Sequence, residues 1–214
     1  MADQSFQTVV GQRATVTLPD GSSVTLNTDT VVRTRADQDR RHPFVVAAGG
    51  RTVTALGTAF DIRIDRGARK VVLVEGRVRV ESARPPAALP PPQGKAAAVV
   101  KPPMDRATEM SAGSQLVAPD DADWRLTRTD VERETSWLHG QLVFDDEALG
   151  DVVAELNRYS TRKIVIADAE LAQRRLSGIY TPGDINGFAH ALKATGVGRV
   201  GEETDTEVRI VAIR

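Results

Sequence analysis

From residue 5 to residue 82 the chain alternates polar and apolar residues in short runs broken by glycine. The stretch ATVTLPDGSSVTLNT sets Val16, Leu18, Val24 and Leu26 on alternate positions around Pro19-Asp20-Gly21. Proline presets φ and glycine supplies φ > 0, so this is turn chemistry between two alternating runs and predicts a hairpin. PFVVAAGGRTVTALGTAFDIRID repeats the device at Gly49-Gly50 and again at Gly57. Asp65-Arg66-Gly67 then turns into ARKVVLV, and Glu75-Gly76 into RVRVES. Short strands at this spacing, with little helical periodicity, predict an all-β domain, sandwich or solenoid-like, over residues 5–118.

Residues 84–103 interrupt the alternation with RPPAALPPPQGKAAAVVKPP, which holds seven of the eleven prolines. Proline cannot donate to a sheet ladder, so the segment reads as an exposed Pro-rich insertion in that domain. The sheet resumes at ATEMSAGSQLVA, with Gly113-Ser114 in its turn. The mixed, charged residues 119–136 read as a linker with a helical turn.

The period then changes. In GQLVFDDEALGDVVAELNRYSTRKIVIAD, Leu149, Val152, Val153, Leu156 and Tyr159 recur at helical spacing behind Asp145 and Asp146, either of which suits a helix cap. KIVIA follows as a short strand. RLSGIYTPGDINGFAHALKATGVG repeats the order: a strand, then a helix starting at Thr181 or Asp184, burying Ile185, Phe188 and Leu192, and ended by Gly196. Residues 137–214 are therefore expected to form a small α+β domain with two βαβ-type units.

Composition removes several function classes. Lys plus Arg total 28 and Asp plus Glu 29, a balance that lacks the positive surface a nucleic-acid-binding domain needs. There is no cysteine, hence no disulfide, thiolate metal site or cysteine nucleophile. The longest apolar runs, AAAVV and FVVAA, fall far short of the roughly 20 residues of a membrane span. MADQSFQTVV lacks the basic start and apolar core of a signal peptide. His42, His139 and His190 have no metal-ligand spacing, and Asp120, Asp121 and Asp123 lack the order of a calcium loop. Ser111, Ser114, Ser136 and Ser177 sit in no nucleophile elbow. The expectation is a non-enzymatic module with no cofactor and no metal.

Both halves resemble a known family. GQRATVTLPDGSSVTLNTDT (11–30), HPFVVAAGGRTVTALGTAFDIRI (42–64) and VVLVEGRVRVES (71–82) are similar to the periplasmic part of FecR-type regulators. These are the transmembrane anti-sigma and sigma-activating proteins of Gram-negative cell-surface signalling. SWLHGQLVFDDEALGDVVAELNRYSTRKIVIAD (136–168) and LSGIYTPGDINGFAHAL (176–192) resemble the secretin/TonB short N-terminal domain that ends them. The resemblance implies a periplasmic module that binds the signalling domain of a TonB-dependent outer-membrane receptor, typically in iron-siderophore signalling. It implies sigma-factor contact only through a cytoplasmic domain, and membrane contact only through a transmembrane helix, both outside this chain. In the family one or two more strands usually separate LNTDTVVRTR from HPFVV; here only ADQDRR stands between them.

For binding, the physics points to sheet edges, whose unpaired N–H and C=O groups accept a partner strand. RLSGIY (175–180), with Leu176, Ile179 and Tyr180, and EVRIVAI (207–213) are the candidates. Arg158, Tyr159 and Arg162 form either a basic and aromatic group of the kind favoured at interface centres or a core tyrosine flanked by solvated arginines, and Trp137 is either a core or domain-junction anchor or a partner contact. Two other classes stay open: a cell-envelope structural or polysaccharide-binding β module, and a glycosidase with paired carboxylates.

Overall fold

The computed structural model describes residues 3–17, 23–35, 44–48, 51–55, 58–65, 68–82, 107–119 and 123–213. The Pro-rich insertion, the ADQDRR segment, and the turns at Pro19-Asp20-Gly21, Gly49-Gly50, Gly57 and Gly67 lie outside the described residues. The chain divides into two compact units, Asp39–Val131 and a second made of Met1–Gln38 with Glu132–Arg214. The all-β reading grouped residues 5–38 with the strands that follow them; the contacts group them with the second half instead.

Four short strands open the chain: β1 (Asp3–Gln7), β2 (Ala14–Thr17), β3 (Ser23–Leu26) and β4 (Val31–Arg35). β2 pairs antiparallel with β3, Ala14 against Leu26 and Thr17 against Ser23, the register of the hairpin expected about Pro19-Asp20-Gly21. β1 pairs antiparallel with β4.

The unit 39–131 holds β5 (Phe44–Ala48), β6 (Arg51–Ala55), β7 (Ala59–Asp65), β8 (Ala68–Glu75), β9 (Arg77–Ser82), β10 (Ala107–Ser111), β11 (Ser114–Pro119) and β12 (Arg125–Arg128). They form two four-stranded sheets, β10-β9-β6-β5 and β12-β11-β8-β7. Val53, Val78, Val80 and Met110 of the first share one core with Val71, Leu73 and Leu116 of the second. A core fed by one face of each sheet is that of a sandwich. Each such buried side chain contributes about 1.5–3 kcal/mol of transfer free energy.

The alternation places the strands but not the corners. Gly76, expected to turn one strand back on its neighbour, instead carries the chain from the second sheet to the first, with φ 81°. Gly113, at φ 79°, carries it back between β10 and β11. A period of two names the buried face and is silent on which sheet the next strand joins. Residues 125–128, read as linker, are a strand paired to β11.

The second half contains α1 (Val131–Glu134), a 3₁₀ turn at Ser136–His139, β13 (Leu142–Ala148), α2 (Leu149–Leu156) with a 3₁₀ turn at Asn157–Tyr159, β14 (Lys163–Ile166), α3 (Ala169–Ala172), β15 (Arg175–Tyr180), α4 (Ile185–Ala194), β16 (Arg199–Glu203) and β17 (Glu207–Val211). Leu149, Val152, Val153 and Leu156 of α2 meet Ile185, Phe188, Ala189 and Leu192 of α4 in one core. Leu142 and Leu176 enter it from one small sheet, Ile164, Val208 and Ile210 from another. Asp184 caps α4, accepting the Gly187 N–H at 2.8 Å. α2 has no side-chain cap; Asp145 and Asp146 belong to β13.

Within residues 142–203 strand–helix–strand order occurs three times, through α2, α3 and α4, one more than expected, and none is a βαβ crossover. β13 pairs with β15, whereas β14 joins the sheet β14-β17-β16, so each helix connects strands of different sheets. Among the described strands the only parallel pair is β14 with β17. Helical periodicity identifies the buried face of α2 and α4, and both sheets compete to cover it. No described helix is long and apolar enough to cross a membrane.

Candidate interaction surface

Three of the residues expected at a partner interface are occupied by the chain itself. Trp137 is 8% exposed and Tyr159 is 4% exposed, both in the core. Their polar groups receive the N-terminal strands. Asn27 Nδ2 donates to the Tyr159 hydroxyl at 2.8 Å, and the Thr28 hydroxyl donates to the Arg158 carbonyl at 3.0 Å. The Arg13 guanidinium donates to the Trp137 carbonyl. Thr28 also accepts the Gly11 N–H at 2.8 Å. Gly11 has φ 81°, and a Cβ there would lie 3.1 Å from the Tyr159 carbonyl, so backbone passes where a side chain would not. The Arg158 side chain pairs with Glu155 at 3.1 Å. Two-stranded ribbons are marginal alone, and this clasp ties the residues between β1 and β2 and between β3 and β4 to the second half.

Arg162 is also held internally. It lies 2.5 Å from the Glu203 carboxylate and donates to the Thr204 carbonyl at 3.0 Å, lining a shallow dip with Asp205. Leu176 is buried. Tyr180 is half-buried, edge-on to Phe188 at 5.0 Å and tilted to Phe144 at 6.1 Å. Burial raises its phenol above the ordinary value of 10.0. Ile179 is 63% exposed, the most exposed large apolar side chain of the described residues.

The strand edges of residues 132–214 differ in how they are guarded. β17 is not an edge, contrary to the expectation for 207–213; β14 and β16 flank it on both sides. β14's outer edge is closed by one side chain. Asn157 Nδ2 donates to the Ile164 carbonyl and Asn157 Oδ1 accepts the Ile164 N–H, each at 2.8 Å, as a neighbouring strand would. β16 slips register between Val200 and Glu202 and carries Glu202 and Glu203. β13 is bulged between Phe144 and Glu147, with Asp146 at φ 51°. Ser177 Oγ accepts the Asp146 N–H at 2.9 Å and Arg175 donates to the Asp146 carbonyl at 2.7 Å, which fixes the bulge. Bulges, charges and side-chain covers are how native sheets blunt their edges. β15 has no bulge of its own and no side-chain cover on its outer side, carries a single charge, Arg175, at its first residue, and its backbone pairs only with β13 among the described residues.

The sequence expectation that 175–180 is an edge strand agrees with the sheet order, while the Asn157 cover and the clasp were missed. An Asn between a helix and a strand is ordinary loop composition, and contacts across 130 residues leave no local pattern.

No protein-family description and no curated protein matches the chain. Two crystal structures match in fold, each described as a "putative anti-sigma factor" from Parabacteroides distasonis ATCC 8503. One, at 2.50 Å resolution, has 18% sequence identity and a TM-score of 0.71, covering 100% of this chain and 100% of that one. The other, at 1.65 Å, has 18% identity and a TM-score of 0.73, covering 99% of this chain and 100% of that one. The chain shares their fold along its whole length.

Proposed function

We propose that this chain is the signal-receiving part of an anti-sigma-type regulator, a periplasmic module that binds the signalling domain of a TonB-dependent outer-membrane transducer. The observation that carries this reading is the end-to-end likeness in fold to two structures described as anti-sigma factors, over both units and not over one common domain. The motif resemblance in both halves supports the finer reading. In it the chain is no enzyme; it transmits by binding, and sigma-factor control belongs to a separate domain of the parent.

The polysaccharide-binding alternative finds little support. Such sites stack sugars on exposed aromatic rings. Among the described residues, Trp137, Tyr159 and Phe188 are buried, and Phe6, Phe60, Trp124, Phe144 and Tyr180 are half-buried.

The test is a calorimetric titration of the 214-residue chain with the periplasmic signalling domain of the transducer encoded beside it. The expected outcome is saturable one-to-one binding at about micromolar affinity. Absence of heat and of co-elution, from a sample with a cooperative unfolding transition, would remove the transducer reading.

A further inference from the structure

We infer that the open edge of β15 is the docking site, and that its occupant is an extended strand of a partner protein bearing an apolar and an acidic side chain four residues apart on one face. This rests on the receiver reading for the partner's identity, but not for the geometry.

Among the strands of residues 3–35 and 132–214 the edge is selected by elimination. Of the five strands in residues 132–214, one is central, one is covered by Asn157, and two are bulged and acidic. Only β15 keeps a regular outer row of N–H and C=O groups. Of the N-terminal strands, β2 and β3 have four residues each, and β1 and β4 carry Asp3, Arg33 and Arg35. Short or charged strands are poor templates for addition.

The side chains specify the occupant. Along β15, Arg175, Ser177 and Ile179 are exposed, and Leu176 and Tyr180 pack inward. Ile179 stands beside Val143, its cross-strand partner on β13, so the outer face presents an apolar spot. At the other end, Arg174 donates to the Val197 carbonyl at 3.1 Å and Arg175 to the Asp146 carbonyl at 2.7 Å. Neither guanidinium pairs with a carboxylate among the described residues. A strand added to this edge places the residues beside Arg175 and Ile179 four positions apart on the same face. Charge complementarity asks for an acid at the first and burial asks for an apolar group at the second. A backbone ladder supplies the affinity and these two positions the specificity.

The experiment uses the full chain, isotope-labelled, and two probes. One is the transducer's signalling domain. The other is a cyclic hairpin peptide with Thr-Glu-Thr-Thr-Thr-Val-Thr as one strand, ordered beforehand so that strand formation does not mask binding. The expected result is that the peptide shifts the amide resonances of 175–180 ahead of all others. Ile179→Asp should weaken it about tenfold or more, while Val200→Asp on the guarded β16 leaves it unchanged. Both sites are exposed, so neither variant threatens the fold. Peptide shifts that spare 175–180, or equal loss in both variants, would overturn the inference. Transducer binding that is indifferent to Ile179→Asp would overturn it too, with the receiver reading intact. Peptide binding at β15 without transducer binding would keep the docking edge and remove the transducer reading.

Discussion

At the scale of single residues, the second half is closed by polar side chains used as backbone substitutes. Asn157 satisfies both main-chain groups of Ile164, which is buried. Asn157→Ala leaves an N–H and a C=O unpaired, so it should destabilise the chain by about 1–3 kcal/mol in urea unfolding and speed amide exchange at Ile164. Gly178 faces the ring of Tyr180, and a Cβ there would sit 2.9 Å from it. That ring is held between Phe144 and Phe188 and has little room to give, so Gly178→Ala should destabilise by about 1–3 kcal/mol. Tyr180 itself makes stability pH-dependent. Its folded phenol titrates above 10.0, the unfolded value, because burial disfavours the phenolate. The stability it contributes is complete below pH 10.0 and is lost as pH rises through the higher folded value. The stability difference between the natural chain and Tyr180→Phe should be flat below that pH and change above it, read as urea midpoints across an alkaline series.

At the scale of elements, alternation and punctuation made the strands legible and left their partners hidden. The pairings of β2 with β3, β5 with β6 and β7 with β8 follow from turn residues lying between alternating runs. Gly76 and Gly113 carry the same signal and do a different thing, because a positive φ serves a corner between sheets as well as a hairpin. A substitution separates conformation from composition here. Gly76→Ala should cost about 1–2 kcal/mol, the strain of a Cβ in the left-handed region, measured as a shift of the thermal midpoint. The helices were legible for another reason: their apolar faces have only one period to obey. Which sheet covers each face depends on strands far away in sequence, and so the expectation of two βαβ units did not survive.

At the scale of the molecule, the N-terminal strands belong with the C-terminal half. The sandwich of residues 39–131 is an insertion between them. Arg13, Asn27 and Thr28 reach Trp137, Tyr159 and Arg158 through polar contacts that no window of sequence contains. Of the two readings open for Trp137 and Tyr159, the structure shows the buried one, with their polar groups tied to Arg13 and Asn27. Deleting residues 1–38 strips partners from the Trp137 and Arg158 carbonyls and the Tyr159 hydroxyl. The loss should be about 2 kcal/mol or more of stability in the second half, followed by the fluorescence of Trp137 in urea with Trp124→Phe in both chains. Among the described strands of residues 132–214, β15 is the one whose outer edge stays open. The most direct test of the whole account is hydrogen exchange of the chain alone and with the transducer's signalling domain. Docking at β15 slows exchange in residues 175–180 ahead of all others. Protection confined to the strands of 44–119, or a bound complex in which 175–180 exchanges as in the free chain, would contradict it.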